Sequence, residues 1–546
     1  MRIFVCVFAL LLLLPAVSRA QNEMIVPEFA ENSKYINEII VGDTTATGAR
    51  LNPNRVYVLK RNGIYLLNTA IRNTGWTLRI KAADGGGKIP AIYSYKNSTT
   101  GAYPQDQFDV RGNLWLKKIA MIGWAEFIPE DISLMPPRMM NTNASGCTIE
   151  IYSCILSATR AATIQTSSAA HKVQVTNTLF AQSGNLWNTN IGNGRPVDFR
   201  NVTVDSVIMQ NCTFIDGTDR IVRHYSSVGK LDVVIFDHNT IYNALSMHGC
   251  LGLGWVGTKV QITNNLFVDN FVLGNDSTDA VRLSEFGDTR ERGPSGAFRM
   301  TFVGTIPDSA GKSPTQWVVR KNFYSVTPAV QTWYDSKSSL GIGNLAPLTW
   351  HINSRLGADS ATAFTKEPIT FTKTTRNMVK FATWYYDPAG ANKQKVNTNF
   401  SKDIEYYRPD WTYYIDTLDL RYQTTAKAYT GADKGQPAGS LMWWGMPLTS
   451  VEDPMDFVPQ AYSLNQNYPN PFNPNTKISF SIPHSGRITL RVFNLLGQEV
   501  RTLTDAQYTA GVHEIDFDAS SLSSGVYIYT LTAGDFVASK KMTLIK

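Results

Sequence analysis

The chain has 546 residues, more than one core usually supports, so about two to four domains are expected. Its 12 Trp, 24 Tyr and 25 Phe, with only 17% charged residues, suit a large β-protein and exclude a disordered or coiled-coil chain. Setting aside the two leader arginines, Arg2 and Arg19, takes the formal charge from +7 to +5. That excess is too mild and dispersed for a nucleic-acid partner, but it leaves room for an acidic polymer.

Residues 1–20, "MRIFVCVFALLLLLPAVSRA", read as a secretory signal peptide. Arg2 precedes an apolar stretch from Ile3 to Leu14, a Pro break follows, and small Ser18 and Ala20 stand before a cut at Gln21. The apolar run is shorter than the roughly twenty residues a membrane anchor needs, and no later segment comes close to spanning. The mature chain is therefore expected to be exported, soluble and monomeric. Beyond Cys6 in the leader, Cys147, Cys154, Cys212 and Cys250 lack CxxC pairing or metal-ligand spacing, so they are expected to be structural thiols without a disulfide framework.

Residues 21–330 are expected to hold an N-terminal cap and a solenoid. "NRVYVLKRNGIYLLN" and "GWTLRIKAADGGGKIPAIY" read as strands of the cap and first coils, since open solenoid ends must be covered. Downstream a short phrase recurs: "VQVTNTLF" from Val173, "VIMQNCTF" from Val207, "VIFDHNTI" from Val234, "VQITNNLF" from Val260 and "VVRKNFYS" from Val318. Taking the fifth residue of each, and of two earlier copies, gives Lys118, Ser153, Asn177, Asn211, His238, Asn264 and Asn322, at steps of 35, 24, 34, 27, 26 and 58. Such periods with period-two alternation signal a parallel β-helix. Asn177, Asn211 and Asn264 are read as a structural ladder at a tight turn, each in the left-handed conformation and bonded to its copy in the next coil.

Residues 331–450 lose the Asn period and become aromatic, as in "KFATWYYDP" and "YYRPDWTYYIDTLDLRY", and read as a C-terminal part of the solenoid region with its own aromatic core. A linker follows at 451–462. Residues 463–546 alternate strands of five to seven residues with Gly and Pro turns, predicting a small β-sandwich. The fold class is thus all-β: a right-handed parallel β-helix followed by a small Ig-like β-sandwich.

The "VxITNNxF" coils resemble those of the pectate-lyase-like right-handed parallel β-helix superfamily, over roughly residues 50 to 330. "AYTGADKGQPAGSLMWWG" (428–445) resembles the close of secreted β-helix proteins of Bacteroidetes-type bacteria. The C-terminal region resembles the type A C-terminal sorting domain of the type IX secretion system, through "NYPNPFNP" (467–474), "NLLGQEV" (494–500), "SSGVYIYTL" (523–531) and "KKMTLIK" (540–546). This second resemblance implies export across the outer membrane by the type IX machinery acting on residues 463–546, removal of the domain, and release or attachment to a surface glycolipid.

The first resemblance places a ligand groove on the parallel sheet that follows the turn after each Asn strand pair. The corresponding segments are "PVDFRNV" (196–202), "RIVRHYSS" (220–227), "CLGLGWVG" (250–257) and "DAVRLSEF" (279–286). With Val197, Phe199, Val222, Val281 and Leu283 inward, period two turns Asp198, Arg200, Arg223, Trp255 or a neighbour, and Arg282 outward. Such a face suits an acidic polysaccharide. In β-elimination from a uronate, Arg223 or Arg282 would neutralise the substrate carboxylate, and His224, Tyr225 or Lys230 would take the adjacent proton. Arg200, Tyr225 and Trp255 would hold the chain. The alternative is a non-catalytic carbohydrate-binding or adhesive protein, with a β-helical glycoside hydrolase third. No cofactor or metal is expected: a DGxxD-like calcium cluster is missing, as are the spaced Asp motifs of galacturonases.

Overall fold

The computed structural model describes residues 22–123, 136–184, 191–224, 228–285, 300–306, 315–375, 377–394, 418–448, 462–467, 469–482, 486–508 and 511–546. The leader, most of the 451–462 linker, Tyr225 and much of the second aromatic phrase lie outside these residues.

Between Glu23 and Lys366 the described residues form a right-handed parallel β-helix of three parallel sheets, of ten, ten and nine strands. Sheet I runs from Glu23–Val26 to Gln316–Arg320, sheet II from Ile64–Leu67 to Phe364–Lys366, and sheet III from Ile71–Arg72 to Ala346–Leu348. One coil shows the path: Leu231–Asp237 in sheet I, Thr240–Tyr242 in sheet II, Leu251–Gly252 in sheet III, then Val256–Thr263 back in sheet I. Coils stack in sequence order, so every inward residue meets its own copy. Val173, Val207, Val234 and Val260 form one column and Val175, Met209, Phe236 and Ile262 the next, all buried. Phe180 stacks on Phe214 at 4.8 Å, and Phe214 on Phe236 at 5.8 Å. This column-wise burial is why β-branched and aromatic residues recur at fixed offsets.

The bend between sheets I and II falls on the left-handed position. Lys118, Ser153, Asn177, Asn211, His238, Asn264 and Lys321 have φ between 51° and 60° there. The last member is Lys321 rather than Asn322, because Thr263 pairs with Arg320 and the turn residue follows. The final step is therefore one coil carrying an insertion. Asn211 donates to Asn177 Oδ1 at 2.6 Å, as the ladder reading requires, but Asn264 turns instead to Asp237 Oδ1 at 2.8 Å. The longer ladder sits one residue later and wholly inside. Asn239 N–H donates to Asn265 Oδ1 (2.8 Å), and Asn265 N–H to Asn322 Oδ1 (3.1 Å). The same side chains donate to the carbonyls of Met209, Phe236 and Ile262.

In the aromatic region, helices Pro328–Ser336 and Val379–Tyr386 bring Trp333, Tyr334, Phe381, Trp384, Tyr385 and Tyr386 into a cluster with Leu245, Val272 and Leu273. Residues 428–440 cross the turn column. Asp433 meets Arg320, Lys321 and Asn264, and Ser440 donates to the Asn211 carbonyl at 2.9 Å.

The C-terminal unit is a separate antiparallel sandwich. One sheet pairs Ser463–Leu464, Asn475–Ile482 and Gly511–Asp518, and the other pairs Glu499–Tyr508, Gly486–Phe493, Gly525–Ala533 and Phe536–Leu544. Ile478, Phe480, Leu490, Val492, Tyr529, Leu531 and Met542 form its core. The Pro-rich phrase is anchored rather than loose: buried Asn467 donates to Pro469 O and Thr476 Oγ1, both at 3.0 Å, and the Phe472 N–H meets Thr543 O at 3.0 Å. Among the described residues, no helix is long and apolar enough to cross a membrane.

Candidate functional site

Sheet III carries Phe108, Met140, Ile164, Val197 and Val222 inward, all buried. The next residue of each strand therefore points away from the core, and strand pairing aligns Arg72, Asp109, Asn141, Gln165, Asp198 and Arg223 in a single column, in which Arg72 is exposed, Gln165 half-buried and the other four buried. Two residues further on, at the turn, Arg111, Asn143, Ser167 and Arg200 flank the first column.

Hydrogen bonds knit the two columns. Asp109 receives Arg72 Nε at 2.6 Å, Arg111 Nε at 3.1 Å and Asn143 Nδ2 at 2.7 Å. Asn141 donates to Asn143 Oδ1 (3.0 Å), while Gln165 (3.3 Å) and Ser167 (2.8 Å) donate to Asn141 Oδ1. Burial pushes the Asp109 carboxyl up, but Asn143, Arg72 and Arg111 outweigh it and hold it below the usual range. Arg72, at 62% exposure, is the open end of the column.

At the other end the column sinks into the protein. Arg223 grips Asp198 with two bonds, Nε to Oδ1 at 3.0 Å and Nη2 to Oδ2 at 2.9 Å. Arg195 approaches Asp198 at 3.5 Å and binds Asp219 at 3.0 Å, and Asp219 accepts from His248 Nδ1 at 2.8 Å. Burial lowers the Arg223 guanidinium to about 10 and His248 to about 4, in each case against the pull of its carboxylate. Burial also pushes Asp219 up, but His248 and Arg195 overcome it and keep it ionised. These groups form a fixed internal charge network that joins three successive coils.

The sequence-derived candidates fall into different places. Arg200 is exposed at the turn, with φ 46° and its guanidinium 3.9 Å from Asp198, so it shares an edge with Arg223. Trp255 is half-buried, and its carbonyl accepts from Leu231 N–H at 2.9 Å. Lys230 is exposed and pairs with Asp232 at 2.7 Å. His224 is fully buried, its Nε2 3.0 Å from the Val202 carbonyl, and burial lowers its pKa so that it stays neutral. Tyr225 lies outside the described residues.

Arg282 requires a correction. Residues 279–285 do not supply a sheet III strand; that place is taken by Thr301–Gly304, whose Val303 pairs with Leu251. Asp279 Oδ1 instead accepts the Arg282 N–H at 3.1 Å and starts the helix Ala280–Glu285. Arg282 is fully buried, donating to the carbonyls of Met247 (2.8 Å), Leu273 (3.3 Å) and Gly274 (2.7 Å). A three-arginine face built from Arg200, Arg223 and Arg282 therefore does not form.

Sequence reasoning missed the upstream half of the column. The signal was present: "FDV", "MNT", "IQT", "VDF" and "VRH" each place one polar residue after an inward apolar one, at 109, 141, 165, 198 and 223. Among the described residues, no group of three or more His, Cys, Asp or Glu has the arrangement to hold a metal ion. Cys154, Cys212 and Cys250 are buried, and burial raises each thiol to about 12, which leaves them inert.

Residues 466–546 match the family model described as a secretion system C-terminal sorting domain. The match covers every strand of the sandwich except Ser463–Leu464 and begins one residue before anchored Asn467. The chain carries a type IX sorting domain that engages the secretion machinery, and the protein is exported to the cell surface or the extracellular space. A search of curated proteins finds no match.

Proposed function

We propose that this exported β-helix binds an acidic polysaccharide along the outward face of sheet III and holds it without cleaving it. The observation that carries the reading is the column of polar side chains from Arg72 to Arg223 on six successive strands. At about 4.8 Å per strand it extends roughly 24 Å, a length suited to a polymer rather than a single sugar. On the accessible part of the face Arg72 and Arg200 are exposed and Arg111 half-buried, whereas Asp109 and Asp198 are buried, so carboxylates of a glycan meet a positive surface while amides and hydroxyls match its hydroxyls. Export to the surface and the resemblance of the coils to pectate-lyase-like proteins point the same way.

Binding is favoured over β-elimination by the state of the candidate catalytic groups. Arg223 would have to leave a bidentate carboxylate to reach a substrate, and buried His224 addresses a backbone carbonyl. The full-length protein should be offered pectate, alginate and glycosaminoglycans while the ultraviolet absorbance of an unsaturated uronate is followed. We expect retention on at least one acidic glycan with a flat trace. Arg111→Ala should weaken binding by about tenfold, the scale of one charged hydrogen bond. Retention on none of these glycans overturns the proposal, and a rising trace overturns its non-catalytic part.

A further inference from the structure

A cleft of about 1320 Å³ opens in the N-terminal cap, among the helix Ile36–Gly42, the loop that follows it, the turns around 68–76 and the loop at 97–99. We infer that this cleft is a second carbohydrate site, taking a short oligosaccharide with an acidic residue placed at Arg72. The inference rests on the polysaccharide reading for its class of ligand, and it adds a cleft in the cap that shares Arg72 with sheet III.

The cleft is built, not incidental. One wall is Trp76 with the Arg50 guanidinium laid over its ring at 4.2 Å, and Arg50 is pinned by the Ile40 carbonyl (2.7 Å), Asp43 (3.4 Å) and the Tyr57 hydroxyl. Buried Asn37 and Asn68 exchange two bonds, Asn37 Nδ2 to Asn68 Oδ1 at 3.0 Å and Asn68 N–H to Asn37 Oδ1 at 3.1 Å, and so tie the cap helix to the first coil. At the rim Asn97 Nδ2 meets exposed Thr69 at 3.2 Å.

The chemistry selects the ligand. Most of the polar lining is amide and hydroxyl, groups that both donate and accept, as sugar hydroxyls do. The charged lining residues are Glu38, Arg50 and Arg72. Glu38 accepts the Tyr35 N–H at 3.0 Å to cap its own helix, and Arg50 is held by Asp43. Arg72 gives its Nε to Asp109 at 2.6 Å yet is 62% exposed, against 11% for Arg50, so it is the cation of the lining that a ligand reaches, and one such cation fits one carboxylate better than a polyphosphate. The volume exceeds the roughly 300 to 1,000 Å³ of common small-molecule pockets, which fits several linked rings. Arg72 also heads the sheet III column, so the cleft and the face share an end.

Calorimetry on the full-length protein with trigalacturonate, cellotriose and polygalacturonate separates the two sites. Thr69→Trp and Ser98→Trp, both at exposed cleft positions, should each weaken trigalacturonate at least about tenfold, while Thr332→Trp, exposed on a distant helix, should not. Unchanged affinity in both cleft variants overturns the inference. Cellotriose bound as tightly as trigalacturonate overturns the role given to Arg72. A wild type that holds polygalacturonate but not trigalacturonate removes the cleft alone, whereas one that holds neither removes the face as well.

Discussion

Replacing Asn265 by Leu should unfold the β-helix more readily than any single substitution on its surface. The Asn265 carboxamide accepts from Asn239 N–H (2.8 Å) and Asn239 Nδ2 (3.1 Å), and donates to Phe236 O and Asn322 Oδ1, both at 2.9 Å. Two of these partners keep another bond, since Asn239 Nδ2 also reaches Met209 O and Asn322 Oδ1 also receives Asn265 N–H. The Asn239 N–H is left facing a methyl group and Phe236 O loses a donor, in a place with no access to water. Two such losses at about 1 to 3 kcal/mol each give a cost of roughly 2 to 6 kcal/mol. At ~2.1 cal/mol/K per residue, a domain of roughly 400 residues shifts its melting point by about 1 °C per kcal/mol, so a fall of about 2 to 6 °C is expected by scanning calorimetry. Asn211→Leu should cost about 1 to 3 kcal/mol for its hydrogen bonds, with about 1 to 2 more for a left-handed backbone. Glycine separates the two terms: at Asn211, with φ 56°, Asn→Gly should be milder than Asn→Leu, whereas Asn265 has no positive φ to relieve. An Asn265→Leu protein that melts within about 1 °C of the parent would refute the inner ladder as a source of stability.

Burial raises the Asp269 carboxyl to about 6 against the pull of Thr327. Its folded value lies above its unfolded one, so the stability this carboxyl contributes is fullest below about pH 4, is lost as pH rises through about 4 to 6, and is then constant. The scale is up to about 3 kcal/mol, and Asp269→Asn should remove that slope and raise the melting point at pH 8; an unchanged slope would contradict the assignment. Deleting residues 456–546 should leave a folded β-helix retained in the periplasm, because the sandwich has its own core; normal amounts at the surface, by fractionation and immunoblot, would remove the sorting role.

The repeat was legible because a β-helix writes its geometry into sequence. Inward columns need apolar residues at fixed offsets, and the bend needs a residue that tolerates positive φ. Position matters there more than identity, so Lys118, Ser153 and His238 take the same backbone as Asn177. Relying on identity is also what misplaced the last member at Asn322, where the inner ladder supplies an Asn one residue beyond the turn. The sheet III strands were legible for 195–198, 222–223 and 251–252. They were not for Arg282, because the insertion after Gly252 carries a helix whose opening Asp279 reads like any other polar residue between apolar ones. Burial of His224 and the pairing of Arg223 with Asp198 depend on contacts between coils, which alternation within one strand cannot reveal. The sorting domain was the most legible part, since its turn residues and anchored Asn467 lie within continuous phrases.

The proposed binding of an acidic polymer along sheet III can be seen in a crystal structure of the full-length protein with hexagalacturonate. Sugar rings should follow the column from Arg72 toward Arg200, with carboxylate oxygens about 2.7 to 2.9 Å from Arg72 and Arg111 nitrogens. Hexagalacturonate bound instead on sheet I or sheet II, with the Arg72 to Arg223 column untouched, would contradict it.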